Sequence, residues 1–224
     1  MTVASSAAAL HSPAMRATLL AVLLVSCASA PALPEATGRG LLQCDSTPPA
    51  GATTWSRPTW RVGDRFVLVR GEKLRGEFTV TAATATHYAL DAGNGVAIRR
   101  DLDLGNLGEW RAEGEPLHVL SPVDTRYHWP LWVGKRWSCE YVDRSPGGPG
   151  LALRADYLVE DLDTVTVPAG TFQALRITRH LALVGVDEAL TRWQVSWYAP
   201  AAGIEVRQLY GDTLVELAEL PAEH

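Results

Sequence analysis

The fold that this sequence predicts is all-β, with antiparallel strands packed as a sandwich or a half-open barrel and a pattern that points to two related β units. Three observations carry that expectation. From Trp60 onward, apolar residues recur with a period of two, in runs rich in Val, Thr, Phe and Tyr. Short Gly, Asp, Asn and Pro clusters separate the runs, as turns separate strands. No segment sustains helical spacing; Ala201-Ala202 and Leu217-Ala218-Glu219-Leu220 come nearest to it.

In chain order, the first element precedes the domain. Arg16 is followed by the apolar run Ala17–Val25, interrupted only by Thr18, and no acidic residue occurs before Glu35. Nine residues are too few to cross a hydrocarbon core, which needs roughly 20, but they suit the core of an export signal. Met1 leaves a signal of ordinary length where Met15 would leave a very short one. The run ends in Leu24-Val25-Ser26-Cys27, which resembles the lipobox of bacterial lipoproteins. The resemblance implies removal of residues 1–26 and attachment of lipid (palmitate among the acyl chains) at Cys27. An Asp after the cysteine favours inner-membrane retention in such proteins. Ala28 in that place implies the outer membrane, with the folded part in the periplasm.

Residues 27–58 come next, rich in Ala, Pro, Ser and Thr, and read as a flexible tether. Thirty such residues have a root-mean-square reach of about 30 Å. The β domain follows over 59–224. Its expected strands are Arg65–Arg70, Glu77–Thr81, His87–Asp91 and Val96–Arg100, the last pair joined at Gly93-Asn94-Gly95. Trp137–Arg144 and Leu153–Val167 flank the loop Ser145-Pro146-Gly147-Gly148-Pro149-Gly150. Thr171–Val184, Thr191–Tyr198, Ile204–Leu209 and Thr213–Leu220 complete the set.

Two patterns organise the domain. Trp60-Arg61-Val62-Gly63-Asp64-Arg65-Phe66 recurs as Leu131-Trp132-Val133-Gly134-Lys135-Arg136-Trp137, which suggests units at 59–128 and 129–224. The second pattern is Val165-Thr166-Val167-Pro168-Ala169-Gly170-Thr171-Phe172. Pro168 fixes φ at a turn and Gly170 can take a positive one. With Trp129-Pro130-Leu131, Trp193 and Trp197-Tyr198-Ala199-Pro200, this hairpin resembles a family of uncharacterised β-rich bacterial envelope proteins. The resemblance spans about residues 58–210. It implies a β fold and carries no catalytic residues.

The chemistry is sparse. The chain has 224 residues, a formal charge of −5 and no basic run, which argues against nucleic acid. Phosphate-binding and nucleophile-elbow motifs are absent, and no spacing points to a metal or a cofactor. The carboxylates of Asp101-Leu102-Asp103-Leu104 and Glu160-Asp161-Leu162-Asp163 read as the wet faces of strands, and Arg176, Arg179 and Arg192 as sheet edges or covers. Cys44 and Cys139 form a candidate disulfide, worth on the order of 4 kcal/mol for such a long loop. Eight tryptophans are many for the size. Trp129, Trp132, Trp137, Trp193 and Trp197, with His128, form a candidate partner surface. The expected role is non-enzymatic: binding or accessory work at the membrane, with an envelope protein as partner. Two alternatives stand beside it. One is a carrier whose barrel holds a lipid or other apolar ligand among those tryptophans. The other is a hydrolase of surface polymers, which needs two of Asp101, Asp103, Glu160 and Asp163 to converge with His128.

Overall fold

In the computed structural model the described residues are 38–71, 74–93, 95–185 and 192–220. Cys27 and the signal segment therefore lie outside them, as does Asn94. The described residues form thirteen strands and no helix. They are β1 (Gly40–Cys44), β2 (Arg65–Arg70), β3 (Leu74–Ala83), β4 (His87–Asp91), β5 (Val96–Asp101), β6 (Asn106–Arg111) and β7 (Pro116–Asp124). Then follow β8 (Arg136–Arg144), β9 (Leu151–Val167), β10 (Gly170–Leu183), β11 (Arg192–Ala199), β12 (Ile204–Tyr210) and β13 (Thr213–Glu219).

From β2 to β13 each strand pairs antiparallel with the next, and β13 pairs with β2, at Leu217 opposite Leu68. The result is a closed up-and-down barrel of twelve strands with β1 added outside the circuit. The antiparallel all-β expectation holds, and the barrel is closed rather than half open. Closure leaves no free edge in the circuit. Alternation sends Phe66, Val80, Tyr88, Leu90, Trp137, Ile177, Val206 and Leu217 into one buried core. Each side chain of this kind contributes roughly 1.5–3 kcal/mol by leaving water.

β1 repairs a local gap. β7 pairs with β8 only from Val119–Arg144 to Ser121–Val142, then turns away. β1 takes the edge so freed, from Gly40 opposite Glu140 to Cys44 opposite Trp137. Beyond it, Asp45 N–H donates to the Arg136 carbonyl at 2.9 Å, Trp55 bridges to Leu131, and Trp60 packs on Phe66 and Tyr88. Residues 38–58 are thus packed on the barrel, contrary to the flexible tether expected through residue 58. Their polar, Pro-rich composition hides a strand stabilised by the edge it meets.

The Val-Gly elements have matching backbone. Gly63 N–H donates to the Val80 carbonyl at 2.8 Å and Gly134 N–H to that of Val159 at 2.7 Å. Asp64 and Lys135 close the same turn onto Arg61 and Trp132. Both glycines have positive φ, 98° and 95°, a region that penalises any other residue. Each turn feeds six strands, β2–β7 and β8–β13. The Pro168-Ala169 turn joins β9 to β10 with Gly170 at φ 138°.

Two stretches differ from expectation. β6 and β7 occupy a region whose weak alternation, broken by Gly108 and Pro122, announces no strand. Asp101–Leu104 is a turn rather than a strand face: Leu104 N–H donates to the Asp101 carbonyl, and Leu104 takes φ 66° with its side chain buried.

Candidate functional site

A cavity of about 200 Å³ lies within the barrel. One water needs roughly 10–15 Å³ and drug-sized ligands usually about 300–1,000 Å³, so the space suits a small molecule. Its apolar wall is Trp60, Leu68, Phe78, Leu90, Ile98 and Leu104. Arg100, Arg126, Tyr127, Glu205, Gln208 and Tyr210 add polar groups to the lining.

Strand alternation places Arg100. Ile98 and Arg100 share the inner face of β5, while Arg99 turns outward and lies 4.3 Å over the Trp110 ring. Arg126 and Tyr127 come from the β7–β8 connection, which folds across one end of the barrel. Tyr127 stacks on Trp129 and meets Tyr198, each at 5.3 Å. Trp137 Nε1 donates to the Thr125 carbonyl at 2.8 Å and secures the connection.

Glu205 is fully engaged. It accepts from Tyr127 Oη at 2.8 Å and Gln208 Nε2 at 2.6 Å, and pairs with Arg126 at 3.2 Å. Burial alone would lower Arg126, but Glu205 holds it well above its ordinary pKa. Burial, then Glu205, raises the Tyr127 phenol. Arg100 differs. Among the described residues its guanidinium forms no ion pair or hydrogen bond, and Glu205 acts on it only at longer range. Burial, then Arg126, lowers its pKa, yet an arginine stays cationic under these conditions.

A second buried network adjoins the first. Asp124 on β7 pairs with Arg179 Nη2 on β10 at 2.8 Å and accepts from Tyr157 Oη at 2.5 Å. Arg179 also donates to Tyr157 Oη at 2.9 Å, Tyr141 Oη at 2.6 Å and Gln194 Oε1 at 2.9 Å. Burial opposes its charge, but Tyr157, Asp124 and Tyr141 keep its pKa raised. With so many partners inside the fold, this network is a structural tie.

The aromatic residues expected to form one surface do not converge. Trp137 is core, stacked on Tyr157 at 4.9 Å, and Trp132 is buried beneath Lys135. Trp129 donates to the Asp103 carbonyl and Trp197 to Asp163. Trp193 is 62% exposed beside His180. None of the five lines the cavity; Trp60 does. His128 is partly buried and its Nδ1 has no partner. The carboxylates are engaged by other partners. Asp101 caps its own turn at Gly105, Asp103 pairs with Arg57, and Glu160 and Asp163 both pair with Arg176. Cys44 and Cys139 are both free, against the candidate disulfide. They stand at different rungs of the β1–β8 pair, and the Cys139 thiol lies 3.9 Å from Asp124. Among the described residues no cluster of His, Cys, Asp and Glu could hold a metal ion.

No family model and no curated protein matches the chain. Similar solved structures include three bacterial proteins. One is the hypothetical lipoprotein YmcC of Escherichia coli, at 10% identity and TM-score 0.49, covering 72% of this chain and 84% of that one. The second, described as a candidate lipoprotein of Parabacteroides distasonis, has 11% identity and TM-score 0.41, with 75% and 98% covered. The third, a candidate exported protein of Bacteroides fragilis with a YmcC-like fold, has 12% and 0.42, with 76% and 100% covered. Likeness this distant leaves function to be read from the chain's own residues.

Sequence reasoning missed Arg100, Arg126, Arg179 and Glu205. A signal existed for two of them. Adjacent arginines in a strand must face opposite sides, so one of Arg99 and Arg100 points inward. Arg179 shares its face with Leu175 and Ile177, which belong to the core, so it is no edge or cover residue. Arg126 and Glu205 carry no such sign, since a connection and a bulged strand position them.

Proposed function

We propose that this chain is a lipid-anchored binding protein of the bacterial envelope, whose barrel takes up a small amphipathic ligand. The supporting observation is the cavity, lined by apolar side chains together with a few charged and hydrogen-bonding groups. Such a mixed lining is the usual make-up of a small-molecule site. The binding role expected from sequence thereby moves from an outer aromatic surface to the interior, in favour of the carrier alternative. Trp60, Phe78 and Ile98 replace the five tryptophans once assigned to it.

Calorimetric titration of the full chain with octanol and with octanoate tests the reading. One molecule of at least one of them is expected to bind per barrel, and Ile98→Trp, which fills the cavity, is expected to abolish binding. No heat with either ligand, or binding unaltered by Ile98→Trp, removes it. The anchor has its own test: Cys27→Ser should release the protein from membranes. Radiolabelled palmitate found in that variant would exclude the lipobox.

A further inference from the structure

We infer that the barrel cavity selects a small amphipathic monoanion, its carboxylate held by Arg100 and its apolar part by Trp60, Phe78, Leu90 and Ile98. The inference rests on the cavity reading and adds the class of ligand.

Three observations carry it. First, Arg100 sits in the cavity wall with no ion pair or hydrogen bond among the described residues. The side chain is half-buried, and arginine's fork of donors matches a carboxylate in two hydrogen bonds. Every other charged group near it is already satisfied. Arg126 holds Glu205, and Glu205 also accepts from Tyr127 and Gln208. The vacancy in the charge pattern is therefore at Arg100 and nowhere else on this wall.

Second, the charge of the wall fits one negative charge. Arg100 and Arg126 oppose Glu205, which leaves a single net positive charge facing the space. A carboxylate neutralises it. A phosphate monoester, carrying nearly two negative charges at pH 7, would leave excess negative charge beside Glu205.

Third, position orders the ligand. Arg100 stands opposite Tyr88 and Asn106, near Leu104 and Tyr127 in the cavity lining. Leu68, Phe78 and Ile98 lie further along, toward the hairpin ends, and are only partly buried. The acid group enters first and the tail lies behind it. The size of the cavity favours a short chain over a membrane diacyl lipid.

The test titrates the full chain with octanoate, octanol and octyl phosphate, which share a tail and differ in head group. Octanoate is expected to bind about tenfold or more tightly than octanol and than octyl phosphate, as a charge-assisted hydrogen-bonded pair implies. Arg100→Gln should remove the preference over octanol. Arg100→Lys, which keeps the charge and loses the fork, should retain part of it and serves if Arg100→Gln folds poorly. Equal binding of octanoate and octanol, or a preference that survives Arg100→Gln, overturns the inference while the cavity reading stands. Tighter binding of octyl phosphate overturns the monoanion assignment. Failure of all three ligands to bind overturns the cavity reading and the inference together.

Discussion

Asp124 and Arg179 show what a buried charge demands of its neighbours. Both side chains are nearly inaccessible, and each depends on the other and on Tyr157. Removing one partner leaves a bare charge in the core, which costs about 3–5 kcal/mol, whereas replacing both by apolar residues of similar size is far milder. Arg179→Met is therefore expected to lower unfolding stability by about 3–5 kcal/mol, and Asp124→Leu added to it to restore most of the loss. Denaturant titration of the two variants decides; a double variant as unstable as the single one refutes the account. Lys135 supplies a pH-dependent counterpart. Its ammonium is buried over Trp132 with one hydrogen bond, to the Pro130 carbonyl at 2.7 Å, and burial brings its pKa to about 8. An unfolded lysine titrates near 10.4, so between about pH 8 and 10.4 the unfolded chain binds more protons and stability rises with pH. Below pH 8 both states are charged and the burial penalty is complete. The stability of Lys135→Met minus that of the native chain should accordingly shrink from pH 8 to 10, by denaturation at both values. The comparison cancels the opposite drift from Cys139, whose thiol is pushed up to about 12 by burial.

β1 shows, at the scale of an element, that a strand can owe its existence to the edge it covers. Gly40–Cys44 has little alternation and few β-formers, yet it supplies hydrogen-bond partners to the half of β8 that β7 abandons. Arg39 fixes its start by a two-pronged bond to Glu140, at 3.0 and 2.6 Å. Removing residues 38–44 should leave the barrel circuit intact and raise amide exchange at Trp137–Glu140 by about tenfold or more, as that edge opens to water. Exchange unchanged there would mean that β1 merely lies alongside. The same contrast explains which elements were legible in the sequence. β2, β4, β5 and β8–β13 alternate clearly because one face of each meets the core, so local pattern and tertiary environment coincide. β1 was hidden because its partner is distant in sequence, and β6 and β7 because bulges at Gly108 and Trp110 break the alternation. The cavity was less legible still. Arg100 and Arg179 look like surface charges until strand parity is followed, and nothing local says that a connection will bring Arg126 to Glu205. Even the tryptophans mislead, since they are spent on core packing, on a connection and on the outer wall.

For the whole molecule, a meander closed into a ring makes contacts of two very different kinds. Eleven of the twelve pairings in the circuit join consecutive strands, and their hairpins close small loops. The twelfth, β2 with β13, joins residues about 150 apart in the chain, such as Leu68 and Leu217. Loop-closure entropy makes that pairing the costliest to form early, although it contributes as much as any other once formed. The long β9–β10 hairpin is the opposite case: its two-residue turn at Pro168-Ala169 sets the register of seventeen- and fourteen-residue strands. Folding should therefore begin around β9–β10 and end at the β2–β13 seam. Ile177 and Leu217 report on the two places, being 2% and 0% exposed. Truncation of either to Ala costs about 2–5 kcal/mol. Ile177→Ala is expected to act mainly by slowing folding, and Leu217→Ala mainly by speeding unfolding with the folding rate little changed. Stopped-flow folding and unfolding rates of the two variants separate these effects. A Leu217→Ala variant that folds as slowly as Ile177→Ala would show that the ring closes before its hairpins consolidate, and would place the cavity, which lies against β12 and β2, among the first parts of the molecule to form rather than the last.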